Sequence, residues 1–193
     1  MELRCAWVTK DPEYIKYHDK QWGRPVHDSR ELFAKLCLDG QQAGLSWITI
    51  LKRTESYHRA YADFDPVRIA QFDEQDVERL MQDTGIIRNR LKVQSIIKNS
   101  RAYLALEAEG VDFVDYLWGF VGGAPIVNQR QGNGDIPATS AESDAMSKAL
   151  KKRGFTFVGS TICYAFMQAV GMVNDHLVTC PCHAECQQGP ARQ

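Results

Sequence analysis

The chain has no run approaching the ~18 consecutive apolar residues that a membrane-spanning helix needs. No membrane association is expected. Its residues are 44% hydrophobic and 24% charged, a composition that argues against wholesale disorder. An excess of one charge is also lacking. Lys and Arg number 23 against 24 Asp and Glu, a formal net charge of -1, so no long-range field draws the molecule to a polyanion. Any contact with nucleic acid must come from a local patch. The first residues, MELRCAWVTKDPEYIK, contain neither a basic segment followed by an apolar one nor a small-residue cleavage site. No export signal is read, and a cytoplasmic protein is expected. There thiols stay reduced, which favours a metal site over disulfides for the six cysteines. Sustained period-two alternation and internal repeats are absent too. With 193 residues the chain can build one sizeable core, or two small lobes sharing an interface.

What is present is helical periodicity, and the fold is expected to be all-α. DSRELFAKLCL opens with Asp28 and Glu31 as a capping box and places Leu32, Phe33, Leu36 and Cys37 on one face. Asp65 and Pro66 start another helix as N-cap and first helical residue. DEQDVERLMQDTG carries Val77, Leu80 and Met81 at helical spacing and is expected to stop at Gly85. NRLKVQSIIKNSRAYLALE adds a stripe of Val93, Ile96, Ile97, Ser100 and Leu104. TSAESDAMSKALKKRG runs from a box of Thr139 and Glu142 to Gly154, with Lys151, Lys152 and Arg153 where the helix dipole favours cations. GSTICYAFMQAVG is apolar on nearly every face and reads as a buried helix. GGAPIVNQRQGNGDIPA reads as a long surface loop.

Three constellations carry chemistry. Between residues 84 and 106 lie Arg88, Arg90, Lys92, Lys98 and Arg101 and no acid, on two helices expected to be joined by a tight turn over Thr84–Ile87. Turn amides leading into a helix N-terminus, flanked by arginines, suit a phosphate; a solvated basic face is the structural alternative. Secondly, three of the four tryptophans, Trp7, Trp22 and Trp47, fall within the first 47 residues, together with Tyr14 and Tyr17 and close to Asp39, Gln41 and Gln42. Ordinary core packing accounts for single aromatics. As a group they can stack on a planar, cationic base while the carboxylate and amides bond its edge. Thirdly, NDHLVTCPCHAEC concentrates Cys180, Cys182 and Cys186 with His176 and His183, while Cys5 sits at the opposite end of the chain. A local metal cluster of Cys180, Cys182, His183 and Cys186 is one arrangement that this spacing allows.

YHDKQWG, CLDGQQAGLSW, DTGIIRNR and ALKKRGFTFVGSTICYAFMQAVGMVNDH together resemble the family of 3-methyladenine DNA glycosylase I, the constitutive bacterial enzymes of alkylation repair. The likeness runs from Cys5 to Cys180. It implies a helix-hairpin-helix glycosylase fold in which a zinc site joins the N- and C-terminal segments. The matching metal ligands are Cys5, His18, His176 and Cys180. Two Cys and two His make a closed tetrahedral site, structural rather than catalytic. Cys182 and Cys186 are then bystanders in a frayed tail.

By the same resemblance the chain hydrolyses the N-glycosidic bond of 3-methyladenine in alkylated double-stranded DNA and releases the free base. Trp7, Tyr14, Tyr17, Trp22, Asp39 and Trp47 form the base pocket, with Asp39 and Tyr17 as its catalytic groups. Gly44 and Leu45 enter the space the base leaves, and Gly85, Arg88 and Arg90 hold the backbone. Asp39 departs from the pattern, since the family usually has Glu there. A single glycosylase unit of two helical lobes, acting as a monomer, is expected over 1–193: a helical body over about 28–150 with a hairpin near 77–104, a zinc-stabilised lobe from 1–27 and 151–186, and a disordered tail over 187–193. Two other classes stay open: a non-catalytic zinc-stabilised module that senses alkylated bases, and a zinc-dependent hydrolase of a small molecule.

Overall fold

The computed structural model describes residues 3–189, and the fold is helical. Two long helices, α2 (Ser29–Gln41) and α7 (Arg90–Ala108), pack together, and α10 (Ser160–Ala169) covers α2 from another side. Asp28 caps α2, its carboxylate accepting from the Glu31 amide at 2.9 Å, but the Glu31 side chain does not close the expected box on the Asp28 amide. The expected stripe of Leu32, Phe33, Leu36 and Cys37 is buried, but so are Ala34, Leu38, Asp39, Gly40 and Gln41. A one-faced stripe suggests a surface helix, whereas α2 is central, enclosed also by α3 (Trp47–Leu51) and α8 (Phe113–Trp118). Burial of Leu32, Phe33 and Leu36 contributes about 1.5–3 kcal/mol each.

The remaining helices are α1 (Pro12–Lys20), α4 (Thr54–Ala60), α5 (Pro66–Ile69), α6 (Glu74–Met81), α9 (Ala141–Lys152) and α11 (Pro181–Glu185). Asp65 and Pro66 open α5 as expected. For α9 the capping box is Ser140 with Ser143, one residue beyond the Thr139–Glu142 pair expected from sequence. A serine hydroxyl at the third helical position closes the box as well as a glutamate would. Helix α6 ends at Met81, not at Gly85, and residues 82–89 connect it to α7, a longer link than the expected tight turn. Gly85 is not left-handed. Its requirement is steric: a Cβ there would lie 2.7 Å from the Ser56 side chain.

The loop reading of 122–138 omitted a short parallel pairing of β1 (Ile126–Val127) with β2 (Val173–Asn174), extended by a bridge between Arg130 and Leu177. Two-residue strands leave no periodicity to read. They matter because they lay the loop beside His176. The terminal segments meet in a smaller apolar cluster of Cys5, Tyr17, Trp22, Ala169, Leu177, Cys180, Cys182 and Cys186. Gln187 and Gln188 extend the hydrogen bonding of α11; residues 190–193 of the expected tail lie outside the described residues.

Candidate active site and metal centre

Where α1 meets the ends of α2 and α3, a cavity of about 380 Å³ opens between the two apolar clusters. Asp11 caps α1 by accepting from Glu13 and Tyr14 amides, and an ion pair to Lys52 at 2.7 Å pins that end to the segment after α3. Tyr14 and Tyr17, three apart, then share a helix face. Trp7 leans on Tyr14 and Trp22 at ring separations of 5.1 and 5.0 Å, and Tyr17 on Trp47 at 5.5 Å. All six residues expected to bind a base, Trp7, Tyr14, Tyr17, Trp22, Asp39 and Trp47, line this cavity. Gln42 joins them. Gln41 does not: its amide is taken up by Lys92 O, Ser95 Oγ and the Tyr57 hydroxyl.

Three buried polar atoms at this site, Trp7 Nε1, Trp47 Nε1 and Asp39 Oδ2, have no hydrogen-bond partner in the protein. Leaving such an atom unpaired costs about 1–3 kcal/mol. Two donors and one acceptor between aromatic faces are what the edge of a planar heterocycle requires. Asp39 is 3% exposed, and its Oδ1 accepts from Lys35 Nζ at 2.8 Å. Burial pushes the Asp39 carboxyl above and the Lys35 ammonium below its ordinary range, while their pairing opposes both shifts. Burial, then the charge of Asp39, holds the Tyr17 phenol well above its usual value. Tyr17 is therefore a neutral hydrogen-bonding group, not a base.

The four residues expected as metal ligands come together in a cluster that could hold a metal ion. Donor atoms of Cys5, His18, His176 and Cys180, all buried, lie within 4.8 Å of one another. Cys5 Sγ is 3.5 Å from His176 Nδ1, and Cys180 Sγ is 3.7 Å from both His18 Nε2 and His176 Nδ1. A tetrahedral zinc ion at usual bond lengths separates S and N donors by about 3.6 Å, so these residues fit one. The other ring nitrogens are engaged outside the cluster. His18 Nδ1 is 2.7 Å from Asp19 Oδ1, and Asp19 is gripped by Arg4; His176 Nε2 is 2.8 Å from the Trp22 carbonyl. Both imidazoles thus donate outward and turn a lone pair inward, the arrangement of outer partners that metal-bound histidines use. Gly23, left-handed at φ +82°, is needed here because a Cβ would come 2.9 Å from the His176 ring.

Cys182 and Cys186 are not in a frayed tail. Both are buried, and a hydrogen bond from Cys182 is the main influence lowering the Cys180 thiol. The local cluster with His183 does not form: His183 Nε2 faces the Asn128 carbonyl and its Nδ1 faces Gln187.

The basic stretch is reshaped by burial. Lys92 is 7% exposed and donates to the Gln41 and Ala43 carbonyls at 2.8 and 2.6 Å, closing the C-terminal end of α2. Arg101 bonds the Ala70 and Phe72 carbonyls. Arg90 pairs with Glu78 at 2.7 Å and Glu74 at 3.5 Å. Exposed Arg88 lines a shallow cavity with Arg53 and Thr84 beside Gly85. The loop fixed by Lys92 carries left-handed Gly44 and then Leu45, which is 40% exposed.

The sequence pattern described as methyladenine glycosylase matches residues 7–183. The chain belongs to this family. It is 58% identical over 180 residues to DNA-3-methyladenine glycosylase 1 of Escherichia coli K12, covering 93% of this chain and 96% of that one. A crystal structure of 3-methyladenine DNA glycosylase I superposes with a TM-score of 0.93 at 58% identity, over 94% of this chain and 100% of the other. A structure of the Staphylococcus aureus 3-methyladenine DNA glycosylase I, described for its recognition of 3-methyladenine, gives 0.89 at 41% identity, over 92% and 95%.

In this member of the methyladenine glycosylase family, sequence reading missed several residues around the cavity. Asn133, Ile136, Ala165 and Gln168 complete its wall. Gln168 is held by buried Asp175, which also binds Asn128, Arg130 and Tyr164. Lys35 was readable, because it stands four residues before Asp39 on a helix. The Arg4–Asp19 contact left no local signal.

Proposed function

We propose that this chain hydrolyses the N-glycosidic bond of 3-methyladenine in alkylated double-stranded DNA, leaving an abasic site and the free base. The observation that carries the reading is the set of three unpartnered buried polar atoms within an aromatic cavity. Methylation at N3 makes the base cationic and a good leaving group before the protein acts. When the bond breaks, its electron pair goes to the base, which departs neutral; water adds to the sugar carbon and loses a proton to solvent. The protein's contribution is to extract, orient and hold the base. Asp39 Oδ2 faces the cationic edge, the indoles donate, the aromatic faces stack, and Tyr17 supplies a neutral hydroxyl wall.

In this reading α6, residues 82–89 and α7 serve as a helix-hairpin-helix element. Gly85, Arg88 and Arg90 meet phosphates, which adds affinity without sequence choice. Gly44 and Leu45 fill the gap left by the flipped base. One zinc ion held by Cys5, His18, His176 and Cys180 ties the chain ends and leaves no open position for water. No helix among the described residues is long and apolar enough to cross a membrane, and we place the enzyme, as a monomer, in the cytoplasm.

Free purines released from methylated DNA by the full chain, measured by mass spectrometry, test the reading. Release of 3-methyladenine is expected. Tight binding of alkylated DNA without release would make the chain a damage-sensing module instead.

A further inference from the structure

Lys35 belongs to none of the constellations that suggest base binding, yet three walls of the aromatic cavity meet its ammonium. Nζ lies 2.8 Å from Asp39 Oδ1, 3.3 Å from the centre of the Trp47 ring and 5.4 Å from that of Tyr17. Its side chain is only 16% exposed. It lines the neighbouring cavity of about 680 Å³, not the aromatic one, so it approaches these three residues from behind.

A cation beside a pocket for a positive base has two opposed effects. It repels the ligand, and it holds the carboxylate that attracts the ligand. The geometry separates them. Lys35 occupies Oδ1 and leaves Oδ2 unpartnered, and it lines the neighbouring cavity whereas Asp39 lines the aromatic one, so the ammonium lies behind the carboxylate as seen from the aromatic cavity. An aspartate buried to 3% exposure without a counter-ion is driven toward its protonated form, and a rotating neutral carboxyl presents donor and acceptor alike.

We propose that Lys35 is a positioning residue of the base pocket: by taking Asp39 Oδ1 and one face of Trp47, it keeps the short carboxylate charged and directs Oδ2 alone at the base edge. This rests on the proposed function for the identity of the ligand. The titratable groups facing Asp39 are Lys35 on its own helix, Tyr17 from α1 and Cys163 from α10. The phenol and thiol are both pushed upward, Cys163 to about 12, so they stay neutral where a buried carboxylate titrates.

Free 3-methyladenine, titrated by tryptophan fluorescence against the zinc-loaded full chain from about pH 5.5 to 9, reads the effect. The ratio of Lys35→Met to wild-type affinity cancels any titration of the ligand itself. Near neutral pH the variant is expected to bind roughly tenfold or more weakly, because its buried carboxyl without a counter-ion is protonated in more of the molecules, and to recover as pH rises and Asp39 ionises. Lys35→Gln, which keeps a donor but not the charge, reports the same if the Met variant does not fold. A ratio independent of pH would reduce Lys35 to packing, and tighter binding throughout would mean that Lys35 hinders the pocket instead of ordering it; either overturns the proposal. If the wild type binds no 3-methyladenine, the functional reading fails. The proposal is then decided by carbon-13 NMR of the Asp39 carboxyl, whose pKa must rise in Lys35→Met and, if unchanged, refutes the role of Lys35.

Discussion

Replacing Asp19 probes the metal centre without touching a ligand. Its Oδ1 stands 2.7 Å from His18 Nδ1, so it fixes the tautomer that points Nε2 at Cys180, and it adds electron density to the ring. Loss of such an outer partner lowers metal affinity by about 10–100-fold, or about 1.4–2.7 kcal/mol. Asn retains an acceptor but not the charge, so Asp19→Asn belongs at the tenfold end and Asp19→Ala toward a hundredfold. A second loss accompanies it, the contact with Arg4. That pair is a quarter to a third exposed and is worth only about 0–1 kcal/mol.

Arg4→Gln separates the two, because it removes the guanidinium and leaves the Asp19–His18 bond. Competition for zinc with a chromophoric chelator at neutral pH is the direct assay, and melting at several zinc concentrations is the linked one. The expected order of zinc affinity is wild type, then Arg4→Gln close behind, then Asp19→Asn, then Asp19→Ala. An Asp19→Ala protein within about twofold of wild type would refute the outer-partner argument. Arg4→Gln falling as far as Asp19→Ala would assign the effect to the surface ion pair.

Further outcomes follow from other contacts. Gly23→Ala should weaken zinc binding and lower the melting temperature, since the new methyl must displace the His176 ring from 2.9 Å and occupy a left-handed backbone; an unchanged zinc affinity in the competition assay would show that the ring has room to move. Lys92→Met should cost about 3 kcal/mol in chemical denaturation, because a buried and a half-buried carbonyl lose charge-assisted bonds at once, and a cost under about 1 kcal/mol would contradict this account. Arg88→Ala should weaken damaged and undamaged duplex equally, lower the salt slope by about one, and leave free-base binding intact; selective loss on damaged duplex would refute phosphate contact. Replacing both members of the buried pair, Lys35→Met with Asp39→Met, should leave stability unchanged or raise it by about 1–4 kcal/mol while abolishing base binding. The sign can be checked against pH. Burial raises the Asp39 carboxyl in the fold, so its ionisation costs stability as pH climbs past the unfolded value. The advantage of the double variant in thermal melts should therefore shrink toward about pH 4, and an advantage that grows there would be wrong for this mechanism.

The grouping of residues around the aromatic cavity was readable in the sequence because they are local. Tyr14 and Tyr17 fall on one helix face by spacing, and Asp39 and Trp47 stand at the end of one helix and the start of the next. Period alone could not rank the helices: α2 shows the stripe of a surface helix yet is enclosed, with Gln41 buried and its amide satisfied inside the fold and Asp39 buried with one oxygen paired to Lys35. Lys92 was misjudged for a related reason. A lysine in a basic run reads as solvated, whereas its long apolar stem let the ammonium reach carbonyls at the end of another helix. The cluster of Cys5, His18, His176 and Cys180 was legible only through family resemblance, since Cys5 and His176 are 171 residues apart and no local pattern links them.

The Cys/His cluster and the aromatic cavity share their walls, which gives a closed metal site there a structural use. On α1, Tyr17 turns to the cavity and its neighbour His18 to the metal cluster. Trp7 touches both sides, with ring centres 5.1 Å from Tyr14 and 5.2 Å from His18. Trp22 lines the cavity while its carbonyl orients His176 and its ring packs on that imidazole at 4.7 Å. A small lobe made of two chain ends has little core of its own to hold four aromatic rings in place. A metal held by these four residues would supply that order by fixing the residues next to the rings. The cost of arranging the pocket is then met during folding, so less of the interaction with a flipped base is lost to ordering side chains when it arrives.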